Sequence, residues 1–102
     1  MDESKVDLNL FRDSTGIFLE VHAITFFSKF KVERLGNEYI FNNSENEKIE
    51  VEQTEDYLDI KIYETDTVHH FKIDNDFMNK EYGDLIKNRS TRVRVRLYQP
   101  PF

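Results

Sequence analysis

The sequence lacks cysteine and tryptophan, and its 102 residues include only three glycines, two prolines and one alanine. Without cysteine the chain has no disulfides, thiolate metal ligands or cysteine nucleophile. With so few glycines it cannot build a phosphate-cradling loop or a dinucleotide-binding fingerprint. His69 and His70 point to opposite faces of any strand, which leaves too few ligands for zinc. We therefore expect no catalytic residue, no metal site and no cofactor.

Long hydrophobic runs are also missing. No window approaches the ~18 apolar residues of a membrane span, and the acidic residues 1–4 are not followed by an apolar run of signal-peptide length. Together with the absence of cysteine, this predicts a cytoplasmic protein without a membrane association. The length is that of one domain, residues 1–102.

The apolar residues that are present favour strands. The chain has nine Phe, five Tyr, eight Ile and seven Val, and aromatic and β-branched side chains suit a pleated surface. Hydrophobic residues make up 38% of the chain and charged residues 33%. Because the usual charged fraction is about 25%, we expect a thin, one-sided core with much of the sheet facing water.

Alternation of apolar and polar residues indicates strands along most of the chain. The alternating segments are residues 6–10, 17–21, 48–52, 58–63, 67–73 and 92–97. Thr65 and Asp66 are suited to a two-residue hairpin loop. The prolines Pro100 and Pro101 end the last strand, because proline cannot donate to a ladder.

Residues 22–35 fit two structures. Their phenylalanines have helical spacing, but a strand followed by a Gly36-Asn37 turn into residues 39–41 fits as well and is favoured by the β-branched content. On that strand Ile24, Phe26 and Phe30 share one face. Phe27 is out of phase with them and is predicted to face outward, where an exposed aromatic is a common interface anchor.

Residues 75–88 are predicted to form a helix, because their apolar residues recur with helical spacing. Asp74, Asn75 and Asp76 supply the N-cap and first-turn acids. The same three residues resemble the start of a calcium loop, but the later ligand positions are wrong, so the cap is favoured. The predicted fold is thus α+β: a largely antiparallel meander of about five to seven strands with one helix.

The charge is strongly segregated in a chain of net charge −6. Residues 1–41 carry a net −2, residues 42–84 a net −9, and residues 85–102 a net +5. Alternation places Arg92, Arg94 and Arg96 on one face of the last strand. Two interpretations remain open: the arginines pair with acids of residues 48–53 or 57–63, or they bind the carboxylates or phosphates of a partner.

The acidic segment suggests a second surface. Glu50 and Glu52 share one strand face, and the next strand adds Asp59. Such a face could occupy a basic groove on a partner protein. We therefore predict a non-enzymatic protein-interaction module, such as an inhibitor or accessory protein, with edge strands that also allow a homodimer. The alternative is nucleic-acid binding by the arginine strand, which the −9 segment disfavours.

Overall fold

The computed structural model describes residues 6–43, 47–87 and 92–99. These residues form eight strands and one helix. In chain order they are β1 (Asp7–Asp13), β2 (Gly16–His22), β3 (Phe27–Leu35), β4 (Glu38–Asn42), β5 (Lys48–Gln53), β6 (Tyr57–Tyr63), β7 (Val68–Asp74), α1 (Asn75–Lys87) and β8 (Arg92–Arg94).

All the strand pairs are antiparallel and belong to two sheets. The five-stranded sheet has the order β4-β3-β2-β1-β8, and the three-stranded sheet has the order β5-β6-β7. The α+β prediction with one helix is therefore confirmed. The described residues contain eight strands rather than five to seven, and the meander is divided: β8 returns to pair with β1.

The two sheets share one core, because alternate residues of both belong to a single buried cluster. Leu10, Leu19 and Phe30 come from the five-stranded sheet, whereas Ile60 and Ile62 come from the three-stranded sheet, and all five are fully buried. Burial of each such side chain contributes about 1.5–3 kcal/mol. The modest number of apolar residues is thus sufficient for a core, because each sheet covers the apolar face of the other.

The strand interpretation of residues 22–35 is confirmed, since β3 pairs with both β2 and β4. Gly36 adopts a φ of 62° in the β3–β4 turn, a conformation that glycine accommodates easily. Ile24 was wrongly placed on the strand face with Phe26. It occupies a two-residue turn closed by hydrogen bonds between Ala23 and Phe26, and it is 92% exposed.

The predicted loop at Thr65 and Asp66 is also confirmed, because the backbones of Glu64 and Thr67 bond to each other across it. The predicted cap of α1 is present as well. One carboxylate oxygen of Asp74 accepts hydrogen bonds from the backbone N–H groups of Asp76 (2.9 Å) and Phe77 (3.4 Å). Local sequence signals therefore set these loops and the helix start correctly.

The chain after β8 joins the two sheets. Val95 is buried, and its N–H donates to Leu8 O of β1 (2.9 Å). Two residues later Leu97 bridges Ile73 of β7, and the Tyr98 N–H donates to Lys72 O (2.8 Å). This crossing segment ties an edge of the five-stranded sheet to an edge of the three-stranded sheet.

The β1–β2 turn contains a carboxylate with a perturbed pKa. The Thr15 hydroxyl (2.7 Å) and the backbone N–H groups of Thr15 (2.8 Å) and Gly16 (3.2 Å) all donate to one oxygen of Asp13. The hydroxyl bond is the largest cause that lowers the pKa of Asp13 below its ordinary value. Asp13 therefore contributes stability that is present above the ordinary pKa and lost as the pH falls through the lowered one.

Thr15→Val should raise the pKa of Asp13 towards its ordinary value, because the change removes the hydroxyl donor and keeps the two backbone donors. The measurement is a pH titration of the Asp13 carboxyl carbon by NMR in both proteins. Thr25→Val, in the β2–β3 turn, is the control and should leave the titration of Asp13 unchanged. A Thr15→Val protein whose Asp13 titrates as in the parent would contradict the assignment of the cause.

Candidate functional site

The arginine strand lies at an edge of the five-stranded sheet, next to β1. Arg92 is opposite Phe11 and Arg94 is opposite Asn9. The strand is therefore not beside residues 48–53 or 57–63, and pairing of these arginines with the acidic strands is ruled out. Local alternation could set which way the arginines face, but it carried no information on which strand they would join.

Both strand arginines form ion pairs with acids of residues 1–41. Arg92 contacts Glu20 at 2.5 Å, and Arg94 contacts Asp7 at 2.7 Å. The arginine side chains are nevertheless 54% and 77% exposed, respectively. Because exposed pairs of this kind contribute only about 0–1 kcal/mol, carboxylates of a partner can compete for both guanidiniums.

Arg96 is not part of this row. β8 ends at Arg94 because the chain then crosses to the other sheet, where Arg96 O accepts a hydrogen bond from the Asp74 N–H (3.2 Å). Its side chain is exposed and has no hydrogen bond or ion pair with another described residue. The predicted row of three arginines is thus reduced to two.

Two aromatic rings lie beside the arginines on the outer face of the five-stranded sheet. Phe11 and Phe18 are opposite each other on β1 and β2, and their rings stack at 5.6 Å. The Arg92 guanidinium lies 4.4 Å from the Phe11 ring centre, and Lys29 Nζ lies 4.9 Å from that of Phe18. Both rings were missed as site residues, although each is out of phase with its buried neighbour, Leu10 or Leu19.

Phe27 lies on the same outer face, as predicted. It is 55% exposed, and its ring centre is 4.8 Å from that of His22. His22 is in turn opposite Asp7, which holds Arg94. The exposed Ile24 lies in the β2–β3 turn that leads into Phe27. We define Phe27, Ile24, Lys29, Arg92 and Arg94 as the cationic–apolar face.

The acidic residues lie on the outer face of the three-stranded sheet. Glu50 and Glu52 of β5 share this face with Asp59 of β6, and Glu52 is directly opposite Asp59. Like charges opposite each other are destabilising, but cations flank this pair. Lys61 is opposite Glu50 and Lys72 is opposite Asp59, whose carboxylate also contacts the His70 ring at 2.5 Å. The predicted acidic face is therefore assembled, although it is mixed in charge.

The Tyr63 hydroxyl donates to Glu50 at 2.9 Å. This hydrogen bond is the largest cause that raises the pKa of Tyr63. Glu50 is therefore engaged within its own sheet. The two predicted surfaces lie on opposite outer faces of the sandwich, because the two sheets pack through their inner faces.

His69 is the one histidine that enters the core. It is buried, its ring stacks on Phe26 at 4.3 Å, and Nε2 contacts Glu64 at 2.7 Å. The stacking of His69 on Phe26 joins the β6–β7 hairpin to the β2–β3 hairpin, so His69 has a packing role. No group of three or more potential ligands among His, Asp and Glu is placed to hold a metal within the described residues.

No family model, curated protein or solved structure matches this chain. The described part of the chain also contains no helix with the length and apolar character that crossing a membrane requires. The geometry of the described residues is therefore the basis for assigning the candidate site.

Proposed function

We propose that this protein is a non-enzymatic, cytoplasmic interaction module, of the inhibitor or accessory type, that binds a partner protein through the cationic–apolar face. One observation carries the proposal. Residues distant in sequence, Phe27 and Arg94, lie on one outer sheet face with their side chains more than half exposed. Aromatic and arginine side chains are the residues that most often dominate binding energy at protein interfaces.

The size and chemistry of the cationic–apolar face support one kind of partner in this proposal. From β3 to β8 the face spans three strand spacings, or about 14 Å. Each protein contributes about 800 Å² to a standard interface, which corresponds to a square about 28 Å on a side. The face is therefore narrow enough to lie within one such interface. An apolar contact for Phe27 and Ile24, with carboxylates placed to reach Arg92 and Arg94, would complement it. The favoured partner is therefore an acidic protein surface with an apolar centre.

The test is an affinity capture from the source organism with matched variants, followed by binding measurements on the captured partner. Phe27→Ala should weaken binding by about 30-fold or more, as expected for an aromatic anchor worth ~2 kcal/mol. Arg94→Glu should also weaken it and should reduce its dependence on salt. Both residues are exposed, so neither change should unfold the protein.

The matched control is Glu50→Gln/Glu52→Gln, which alters the acidic face of the other sheet. It should retain the same partner with the same affinity. If binding is instead lost in this control and kept in Phe27→Ala, the acidic face is the contact and its partner has a basic groove. Light scattering on the isolated chain measures whether it dimerises, and a dimer that is lost in Phe27→Ala would place a second copy on the cationic–apolar face.

A second candidate function is binding of single-stranded nucleic acid, which the stacked Phe11 and Phe18 beside Arg92 and Lys29 favour. It ranks second because Phe11 is already buried beneath Arg92 and because Glu20 and Asp7 lie among the cations. Fluorescence anisotropy with single- and double-stranded oligonucleotides at low salt distinguishes the two. Binding that falls steeply with salt would support it, and no binding would eliminate it.

A further inference from the structure

β5 is an open edge of the three-stranded sheet, because its only strand partner among the described residues is β6. The other three edge strands are short or partly covered. The crossing segment after β8 lies along β7, the Gln53 side chain accepts a hydrogen bond from the Tyr39 N–H of β4, and β8 is three residues long. β5 therefore offers the longest uncovered strand edge in the described part of the chain.

The free backbone groups of β5 follow from its ladder with β6. In an antiparallel ladder, residues alternately direct their N–H and C=O groups to the partner strand and away from it. At the β5–β6 turn the Thr54 N–H donates to Tyr57 O (2.9 Å), so Glu52 and Glu50, two and four residues earlier, also bond to β6. The residues that point their backbone groups out of the sheet are Ile49, Val51 and Gln53. None of these outward groups has a backbone hydrogen bond with another described residue.

The inner face of β5 is incompletely covered by the core. Ile49 and Val51 share this face with the buried Ile62 and Ile60 of β6, yet Ile49 is only partly buried and Val51 is 37% exposed. None of the six residues of β5 is buried, whereas β6 and β7 each contain three buried residues. The core therefore ends short of this edge, and an apolar side chain placed beside Val51 would extend it.

Two glutamates make the outer face of this edge negative. Glu52 forms no ion pair with another described residue. Glu50 accepts the Tyr63 hydrogen bond through Oε1, which leaves the second carboxylate oxygen for a ligand. Two β5 edges are poorly matched to each other, because glutamates would lie opposite glutamates and like charges across a ladder are destabilising. A strand with basic residues suits the edge instead.

We infer that the free edge of β5 binds an extended segment of another protein in which apolar and basic residues alternate. For either strand direction, ligand residues opposite Glu50 and Glu52 share the outer face and are basic, whereas those opposite Val51 and its inner-face neighbours are apolar. Backbone bonds supply the affinity and the alternate side chains supply the specificity, as is usual when a peptide adds a strand to a sheet edge. Arginine is favoured as the basic residue because it bonds carboxylates in a bidentate manner.

The test is an NMR titration of the full-length, ¹⁵N-labelled protein with a capped Val-Arg-Val-Arg-Val peptide. Binding should slow the hydrogen exchange of the backbone amides that point out of the sheet, those of Ile49, Val51 and Gln53. A capped Val-Glu-Val-Glu-Val peptide has the opposite charge and should not bind. Methylation of the peptide N–H groups determines the orientation: methylated valines block an antiparallel ligand, and methylated arginines block a parallel one.

Glu50→Gln/Glu52→Gln should weaken binding of the arginine peptide by about fivefold, the effect expected for two exposed cross-strand ion pairs. The matched control is Glu33→Gln/Glu81→Gln, which removes the same charge on β3 and α1 and should bind as the parent does.

Four results would overturn the inference: no binding of the arginine peptide, equal binding of the glutamate peptide, binding of both methylated peptides, or equal loss in the control. Slowed exchange of the Val51 amide that increases with protein concentration in the absence of peptide would also overturn it, because a second copy would then occupy the edge. The cationic–apolar face contains no residue of β5, so these results do not bear on its partner.

Discussion

Phe26→Ala is expected to lower the free energy of unfolding by about 3–5 kcal/mol, the usual cost of removing a buried phenylalanine. Phe26 is 8% exposed and stacks on the buried His69, so its loss leaves a cavity between the two hairpins. The neighbouring change Phe27→Ala should cost less than about 1 kcal/mol, because that ring is largely exposed. Adjacent phenylalanines thus have separate roles: Phe26 packs in the core, and Phe27 is the binding residue of the proposed function.

Chemical denaturation of both variants beside the parent measures this difference, and a thermal scan should show Phe26→Ala melting lower by more than about 10 °C. The Phe27→Ala protein also serves as the folded reagent for the binding experiment. Similar destabilisation by the two changes would contradict the outward orientation of Phe27. It would equally remove the basis for calling Phe27 a binding residue.

Arg12→Ala is expected to lower the free energy of unfolding by about 2 kcal/mol, the usual contribution of hydrogen bonds from a charged group. Arg12 Nη1 donates to the carbonyl oxygens of both Leu85 and Ile86 at 2.7 Å, in the last turn of α1. These carbonyls have no partner within the helix. The positive charge of Arg12 also interacts favourably with the negative end of the helix dipole. The side chain therefore ties the end of α1 to β1, 73 residues earlier in the chain.

Urea denaturation monitored by circular dichroism measures the effect, with Arg12→Lys as the comparison. Lysine keeps the charge near the helix end but offers a different donor geometry, so an intermediate loss of about 1 kcal/mol is expected. If both variants unfold at the urea concentration of the parent, the cap contributes no stability. The helix would then be held by burial of Met78, Tyr82 and Leu85 and by the Asp74 cap at its start.

The arrangement of the strands decides which opposite charges in the chain lie close together. The arginines near the C-terminus do not neutralise the −9 segment, because β8 joins β1 and their ionic partners are Glu20 and Asp7. Among the acids of that segment, Glu50, Glu52 and Asp59 lie on a sheet face that also carries lysines, whereas Asp74 caps α1 and Glu64 contacts His69. The outer faces of the two sheets therefore differ in chemistry: one carries Arg92, Arg94 and the exposed Phe27, and the other carries Glu50, Glu52 and Asp59 beside lysines.

The amino-acid sequence by itself determined the features that depend on near neighbours in the chain. Alternation of apolar and polar residues placed the strands and the outward orientation of Phe27, while Asp74 and the Gly36 turn marked a helix start and a hairpin. Helical spacing located α1 as residues 75–88, against an observed Asn75–Lys87, with residue 88 outside the described residues. These signals are local because backbone periodicity and capping act over a few residues.

Only the tertiary structure decided which surfaces those residues build. Periodicity states which way a side chain faces but not which strand will lie beside it, so the pairing of β8 with β1 could not be derived. The same limit hid the division of one expected sheet into two, which set the acidic and arginine residues on opposite faces. The polar cleft lined by residues 37–38 and 53–55 and by Asn75 and Asn79 could not be predicted either, because only the packing of the sandwich brings two hairpins and the helix together.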